Sequence, residues 1–498
     1  MNAPAVAELD DAPAPEAVFA RLAHLPHAVW LDSSADPTDT GTWSFIAADP
    51  FAVLRARGGT VEWITAAGRT PVVGSPFEAL EKALRAMRTP GTPVIPFDGG
   101  AAGFISYEAA AAFEHLPSPP PRDVGLPELQ LAFFDVVAGW NHVTGECRVV
   151  STGRPASGRE ADQRARNRLA EMTGWLRGLR DSSPPQAGIP GSEMDGTASE
   201  GSGTIPARPV EDVPWLESTT SRAEYENAVR RVIEAIRNGD VYQVNLSQRF
   251  SARTRAAPLE IHHQLRRRSP APYGAVVRAG GGTIVSSSPE RFLRVDPDGA
   301  IEARPVKGTR PRDANPAVDR RLADELRASE KDRAENLMIV DLLRNDLSRV
   351  CRPGSIRVPE LFRLDSWATV HHLVSTVRGR LRPGVGAAEV LRATFPCGSV
   401  TGAPKIAAME IIARQERVAR GPYCGAIGYF GFGGGIDLSV AIRILVAAAG
   451  RVSFHAGGGI VYDSDPAEEY SETLAKARGI IEAVASAGLP GAVPGVGD

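Results

Sequence analysis

The apolar positions change rhythm along the chain. Through the first 150 residues they fall in short alternating runs, so that Val29-Trp30-Leu31 and Trp43-Ser44-Phe45-Ile46 read as strands, and residues 131–138 and 146–151 read as the arms of a hairpin. Residues 96–107 bring three glycines to a strand entry, the composition of a close backbone approach. A charged helix is predicted over residues 157–178. Residues 1–16, rich in Ala, Pro and acid, are expected to be disordered, and residues 182–214 turn to Ser, Gly, Pro and acid with few large apolar side chains. The resulting plan is a disordered N-terminus (1–16), an N-terminal region (17–182), a flexible linker (183–214), a C-terminal domain (215–489) and a tail (490–498).

Beyond the linker a helix is predicted near 222–238 with Ser221 as its N-cap, followed by a strand around residues 243–246. One long helix is expected over 317–350, apolar at Leu322, Leu326, Leu337, Met338, Leu342 and Leu347 and stopped by Pro353-Gly354. Asp332 and Glu335, three apart, share a face of it. Another helix opens with Asp465 as N-cap and Pro466 at its first position, and it pairs Glu469 with Glu472 in the same way.

Composition narrows the class. At 498 residues the chain is about three times the modal domain. Its 50 glycines and 40 prolines stay below the roughly 25–30% of low-complexity chains. A net charge of −3 gives no global field for nucleic acid or anionic lipid, and the triplet Arg266-Arg267-Arg268 reads as a solvated helix face. No apolar run approaches the ~18 residues of a membrane span, and the first twenty residues carry four acids and no base, opposite to a signal peptide; a cytoplasmic location is expected. Four cysteines without CxxC spacing give neither a zinc site nor a disulfide framework. The basic residues divide into 51 Arg and only five Lys, at positions 82, 307, 331, 405 and 476. Guanidinium cannot serve as nucleophile or base, so a lysine in a chemically suggestive place carries weight.

Two helices that each present a carboxylate pair suit a hard divalent cation such as Mg²⁺, while on spacing alone helix electrostatics or pairing with Arg333 or Lys476 is the commoner reason for such pairs. Of the two glycine clusters, residues 431–435 read as a hairpin turn, and residues 456–460 as bare backbone between a strand (452–455) and the second carboxylate helix, able to approach an anion. Residues 398–405 lack Walker spacing.

Residues 304–312 (RPVKGTRPR), 331–336 (KDRAEN) running to 340–347 (VDLLRNDL), 371–375 (HHLVS), 401–405 (TGAPK) and 456–472 resemble successive motifs of the chorismate-binding enzymes. The resemblance is dense over 216–485 and looser over 28–150. It implies an α/β fold like that of anthranilate synthase component I, a sandwich of two antiparallel sheets flanked by helices with N- and C-terminal segments interleaved. It further implies that Glu335 and Glu472 ligate Mg²⁺, with Asp332 and Glu469 acting through water. Arg443 and Tyr423 match residues that hold the substrate's pyruvyl carboxylate, Gly457, Gly458 and Gly459 donate backbone hydrogen bonds, His372 faces the ring, and Glu290 matches the general acid for the C4 hydroxyl. Gln243, Thr309, Ser399, Thr401, Lys405 and Lys476 are assigned to substrate binding on the same basis.

Two positions choose among branches of the family. Members that add water at C2 resemble one another in a Lys base where this chain has Gln243, which cannot take a proton. Anthranilate synthases usually carry Ala where this chain has Lys307, whereas aminodeoxychorismate synthases place a nucleophilic Lys there. The resemblance therefore implies amination of chorismate by ammonia at C4 through a covalent Lys307 intermediate, with anthranilate formation as the alternative and a non-catalytic chorismate-binding subunit as a second. A free amine of pKa ~10.4 is neutral in only about one molecule per 2,500 at pH 7, so a nucleophilic lysine needs a site that favours its neutral form. No cysteine sits in a glutaminase context, which implies a separate glutamine amidotransferase subunit as ammonia source. Where the tryptophan-inhibited branch shows Leu-Glu-Ser, this chain has Leu31-Asp32-Ser33.

Overall fold

The computed structural model describes residues 3–33, 41–122, 125–178, 207–211, 213–367 and 370–488. Two antiparallel sheets, of 13 and 12 strands among these residues, form the frame. Each mixes strands from both ends of the chain. In the first, Val29–Asp32 pairs with Tyr273–Ala279, and the sheet continues through Gly282–Ser288, Ile444–Ala448 and Arg451–Ile460 to Gln243–Arg253. In the second, Gly100–Ile105 pairs with Ala426–Gly431, and the far edge is made by Ala300–Arg304, Val370–Arg380 and Val306–Pro311. The expected interleaved two-sheet sandwich is the architecture found.

The main core lies between the sheets, where Phe45, Phe97, Phe104, Phe133, Phe292 and Phe430 are buried together. Helices cover the outer faces, which is why three smaller apolar clusters form around Trp30 and Trp175, around Phe250 and Phe454, and around Tyr225 and Ile412. The glycines of the 96–107 stretch serve the predicted purpose. A Cβ at Gly100 (φ +146°) would stand 2.1 Å from the Phe430 carbonyl oxygen, and one at Gly103 (φ +154°) 2.1 Å from that of Gln130. Gly431 and Gly435 close a hairpin as expected, with Gly431 N donating to Gly435 O at 2.7 Å. Ser221 and Glu224 form a capping box on Arg222–Arg237, and Asp465 caps Pro466–Gly488 through the amides of Ala467 and Glu468. No helix among the described residues is long and apolar enough to cross a membrane.

Several expectations are corrected. Part of the N-terminus expected to be disordered is ordered, because Ala5–Leu9 pairs with Cys147–Ser151. Residues 131–138 are not one strand: Leu129–Phe134 belongs to the second sheet and Val136–Asn141 to the first, and the chain crosses at fully buried Asp135, whose carboxylate is held by Arg164 at 2.7 Å and Arg168 at 3.3 Å. Alternation gave no warning, since both halves are apolar on both faces. The helix expected over 317–350 is two, Pro316–Ala328 and Glu330–Ser348. Ser329 leaves helical geometry (φ −64°, ψ 107°) and accepts from Asp332 N at 3.2 Å, starting a new helix that carries the acidic pair in its first turns. Gly457 to Gly459 lie inside the strand Arg451–Ile460, paired with Gln243–Arg253, not in a loop before a helix. Arg266 is no solvated residue; it donates to buried Asp32 at 3.0 Å and bridges Glu16. Linker residues 183–206 and 212 and the tail 490–498 lie outside the described residues, while Arg208–Val210 and Val213–Ser218 are strands.

Candidate active site

The edge strand Val306–Pro311 meets the helix Glu330–Ser348 at a bulge. Lys307 lies opposite Leu373 and Thr309 opposite His372, which leaves Gly308 as the extra residue. Gly308 has φ +76°, and a Cβ there would come within 3.0 Å of Asp332 and 2.8 Å of Leu326, so only glycine lets this strand lie against the two helices. The same helix is fastened to the sheet by Asn336, whose Nδ2 donates to the Leu373 carbonyl at 3.3 Å and whose Oδ1 accepts from Ser375 at 2.6 Å.

From this edge the Lys307 ammonium donates to the Ser399 carbonyl at 3.3 Å. The Ser399 hydroxyl is hydrogen bonded to Glu290, a carboxyl only 3% exposed. Burial pushes Glu290 up to about 7, against the opposing pull of Ser399 and of the Lys307 charge. Its Oε1 is buried without a partner. At neutral pH this carboxyl is protonated in a large fraction of molecules and stands next to an amine, the pairing required of a proton donor beside a nucleophile.

His372 lies beside this pair. Its Nδ1 is 2.9 Å from Thr309 Oγ1 and 3.3 Å from the Gly308 carbonyl. A carbonyl only accepts, so this contact assigns the ring proton to Nδ1 and leaves buried, unpartnered Nε2 as an acceptor. Burial, with the Arg443 charge nearby, pushes His372 down to about 3, and the ring stays neutral. Arg443 itself sits at φ +50°, with its guanidinium pKa lowered by burial. Tyr423 is stacked on His455 with ring centroids 5.1 Å apart. Gln243 is fully buried with neither amide atom partnered, and a Cβ at Gly459 would be 2.0 Å from its Nε2, so the amide lies flat on the glycine strand.

The carboxylates gather on the other wall. Burial raises the pKa of Glu335, opposed by Lys307, Lys331 and Lys476. The same three lysines act on Glu472, where they outweigh partial burial and lower the pKa. Lys476 pairs with Glu472 at 2.6 Å and donates to the Gly457 carbonyl at 3.0 Å. Burial also raises Glu469, whose Oε1 accepts from Ser464 at 2.7 Å and whose Oε2 is buried without a partner. Asp332 accepts from Arg310 at 3.3 Å.

Among the described residues no group of three or more His, Cys, Asp or Glu is arranged to hold a metal ion by itself. The donors nevertheless fit a hard cation that completes its shell with water and substrate oxygens. They are carboxylate oxygens, one is orphaned, and Gly458 leaves open a space in which a Cβ would meet Glu469 Oε2 at 2.8 Å and Glu472 Oε1 at 3.4 Å.

Two residues assigned to substrate binding have other engagements. Lys405 is locked to Asp346 at 2.6 Å and to the Thr394 carbonyl at 3.0 Å. Asp346 is eleven residues, ~16 Å, along the helix from Glu335, so Lys405 pins the helix's far end. The Thr401 hydroxyl bonds within its own turn, to the carbonyls of Cys397 and Gly398. Conversely, Lys331, His455 and the buried Glu416–Arg420 pair escaped the sequence reading. Lysine scarcity was a usable signal for Lys331; in a chain where arginine is the default cation, none existed for Arg420.

Residues 26–482 match the chorismate binding enzyme family. The aminodeoxychorismate synthase component 1 of Salmonella typhimurium is 39% identical over 471 residues, 94% of this chain and 95% of that protein. The anthranilate synthase component 1 of Streptomyces coelicolor is 38% identical over 482 residues, 96% of this chain and 87% of that protein. The solved structure of anthranilate synthase component I from Streptococcus pneumoniae superposes with a TM-score of 0.73 at 29% identity, covering 88% of this chain and 92% of that one. With the two-sheet frame, the acid–amine pair and the carboxylate wall described, these similarities have one common meaning: the chain belongs to the chorismate-binding enzymes.

Proposed function

We propose that this chain aminates chorismate at C4, as an aminodeoxychorismate synthase component I. The observation that carries the reading is Lys307 on the Ser399 carbonyl, next to the buried Glu290 carboxyl. Neutral Lys307 forms a bond to C2 of chorismate as Glu290 gives its proton to the C4 hydroxyl, which departs as water. Ammonia then attacks C4 and the lysine amine leaves C2, so the double bonds return to their places and the enolpyruvyl group stays attached. Tyr423 and Arg443 hold the pyruvyl carboxylate, the Gly457 to Gly459 backbone and Lys476 flank the ring carboxylate, and the neutral His372 Nε2 accepts from the substrate's hydroxyl edge. Gln243 offers no base to activate water at C2.

Mg²⁺ would be held by Glu335 and Glu472, with Asp332 and Glu469 acting through water, and would supply positive charge against the substrate carboxylates. The ammonia source is a separate glutamine amidotransferase subunit. All four cysteines here are buried, and burial pushes the thiols of Cys147, Cys397 and Cys424 up to about 12, which opposes the thiolate a glutaminase needs. Anthranilate synthesis stays the second reading because the Streptomyces coelicolor relative is nearly as similar; it has no use for an amine at position 307.

Four outcomes are expected. With chorismate, Mg²⁺ and ammonium, mass analysis should find 4-amino-4-deoxychorismate. Lys307→Ala should lower its formation by about 10²–10⁴-fold, and Lys307→Arg nearly as much because guanidinium keeps its proton. Anthranilate with free pyruvate as the main products supports the second reading, and an unimpaired Lys307→Arg shows that only charge matters there. Glu335→Gln or Glu472→Gln should abolish turnover while leaving the melting temperature close to the parent's, and full turnover in excess chelator would refute the cation assignment. The isolated chain should turn over with ammonium salts and not with glutamine; glutamine use by the purified chain removes the need for a partner.

A further inference from the structure

One buried ion pair outside the Lys307 cluster touches three parts of the site at once. Arg420 is 3% exposed, and its guanidinium forks onto Glu416, Nε to Oε2 at 2.9 Å and Nη2 to Oε1 at 2.7 Å. Its other bonds go to main-chain carbonyls: Nη1 donates to Val400 at 3.0 Å and Nη2 to Asn245 at 2.7 Å. Val400 follows Ser399, which contacts both Lys307 and Glu290. Asn245 lies two residues from Gln243 on the same strand, and its own N–H reaches the Thr401 carbonyl at 2.8 Å. The guanidinium also lies 5.8 Å from the centroid of the Tyr423 ring. Glu416 is fixed in turn by the amide and hydroxyl of Ser247, both at 2.8 Å from Oε1.

Stability alone does not account for such a group, since well-packed apolar side chains of similar volume commonly replace a buried ion pair without loss. What apolar side chains cannot do is hold two carbonyls from different segments at fixed distance from one another. A lysine cannot either, having one nitrogen where the planar fork has three. We propose that the Glu416–Arg420 pair is a positioning device for the reaction, clamping the Gly398–Val400 turn against the strand Gln243–Arg253 so that Ser399 and Tyr423 stand where Lys307, Glu290 and the substrate need them. The proposal rests on the roles given above to Lys307, Glu290 and Tyr423. Misplacement of such groups by about 1 Å is enough to cost of the order of 10²-fold in rate.

The test compares Arg420→Lys with Arg168→Lys, the same change at another buried arginine, which bridges Asp49 at 2.7 Å and Asp135 at 3.3 Å without touching the site. Both are assayed in the full chain with Mg²⁺ and ammonium for total chorismate consumption, a rate that stands whichever product forms, so failure of the C4 reading is told apart by the product alone. Both variants should melt at lower temperature. Arg168→Lys should keep kcat within twofold of the parent, whereas Arg420→Lys should lower kcat at least tenfold with a smaller rise in KM. Should Arg420→Lys not fold, the double variant Glu416→Leu/Arg420→Met, which removes both charges together, carries the same expectation. A folded variant of either kind with kcat within twofold of the parent overturns the proposal. So do an equal loss of kcat in Arg168→Lys, and failure of both Arg420 variants to fold, which would make the pair a structural one.

Discussion

A carboxyl held out of water sets the terms for the rest of the site. Glu290 sits where the strand Gly282–Ser288 gives way to Arg291–Val295, that is, where the chain passes from one sheet to the other, and no solvent reaches it to stabilise the charged form. Leaving a buried carboxylate unpaired costs several kcal/mol, so the group keeps its proton to higher pH, and the cost is offset in part by Ser399, the nearby Lys307 charge and the Val306 backbone. The bulge at Gly308 and the start of a fresh helix at Ser329 shape the surroundings. They bring an amine on one edge strand close to that carboxyl and to the carboxylates of one helix.

The distribution of cations reinforces this. A chain with 51 arginines uses lysine at Lys307, Lys331 and Lys476, the three positive groups that bear on Glu335 and Glu472. Ammonium groups are compact and can yield a proton, while guanidinium groups are kept for fixed, forked roles such as Arg420 on Glu416. Three of the five lysines thus bear on the carboxylates, while Arg420 takes a fixed, forked role.

Much of this was legible in the sequence. The capped helix with Glu469 and Glu472 and the Gly100 and Gly103 approach declare themselves through spacing, and the motifs around Lys307, Glu335 and His372 through their resemblance to the chorismate-binding enzymes. What was hidden has a common cause: it depends on which segment comes to lie alongside. Nothing local shows that residues 131–138 change sheets at Asp135 or that Gly457 to Gly459 pair with the Gln243 strand, and the helix-start pattern Ser329 to Asp332 was masked by the apolar periodicity running through it. Lys405, assigned to substrate binding from its motif, is paired with Asp346, a partner that the motif did not announce.

The most direct measurement is the titration of the Glu290 carboxyl itself, read as the infrared difference between the parent and Glu290→Gln across pH. The account predicts a protonated carboxyl band that disappears with a midpoint near about 7 and moves to higher pH in Ser399→Ala, where the hydrogen bond that lowers it is gone. A midpoint in the ordinary carboxylate range, about 4.3, unmoved by Ser399→Ala, would contradict it and leave the site without its proton donor.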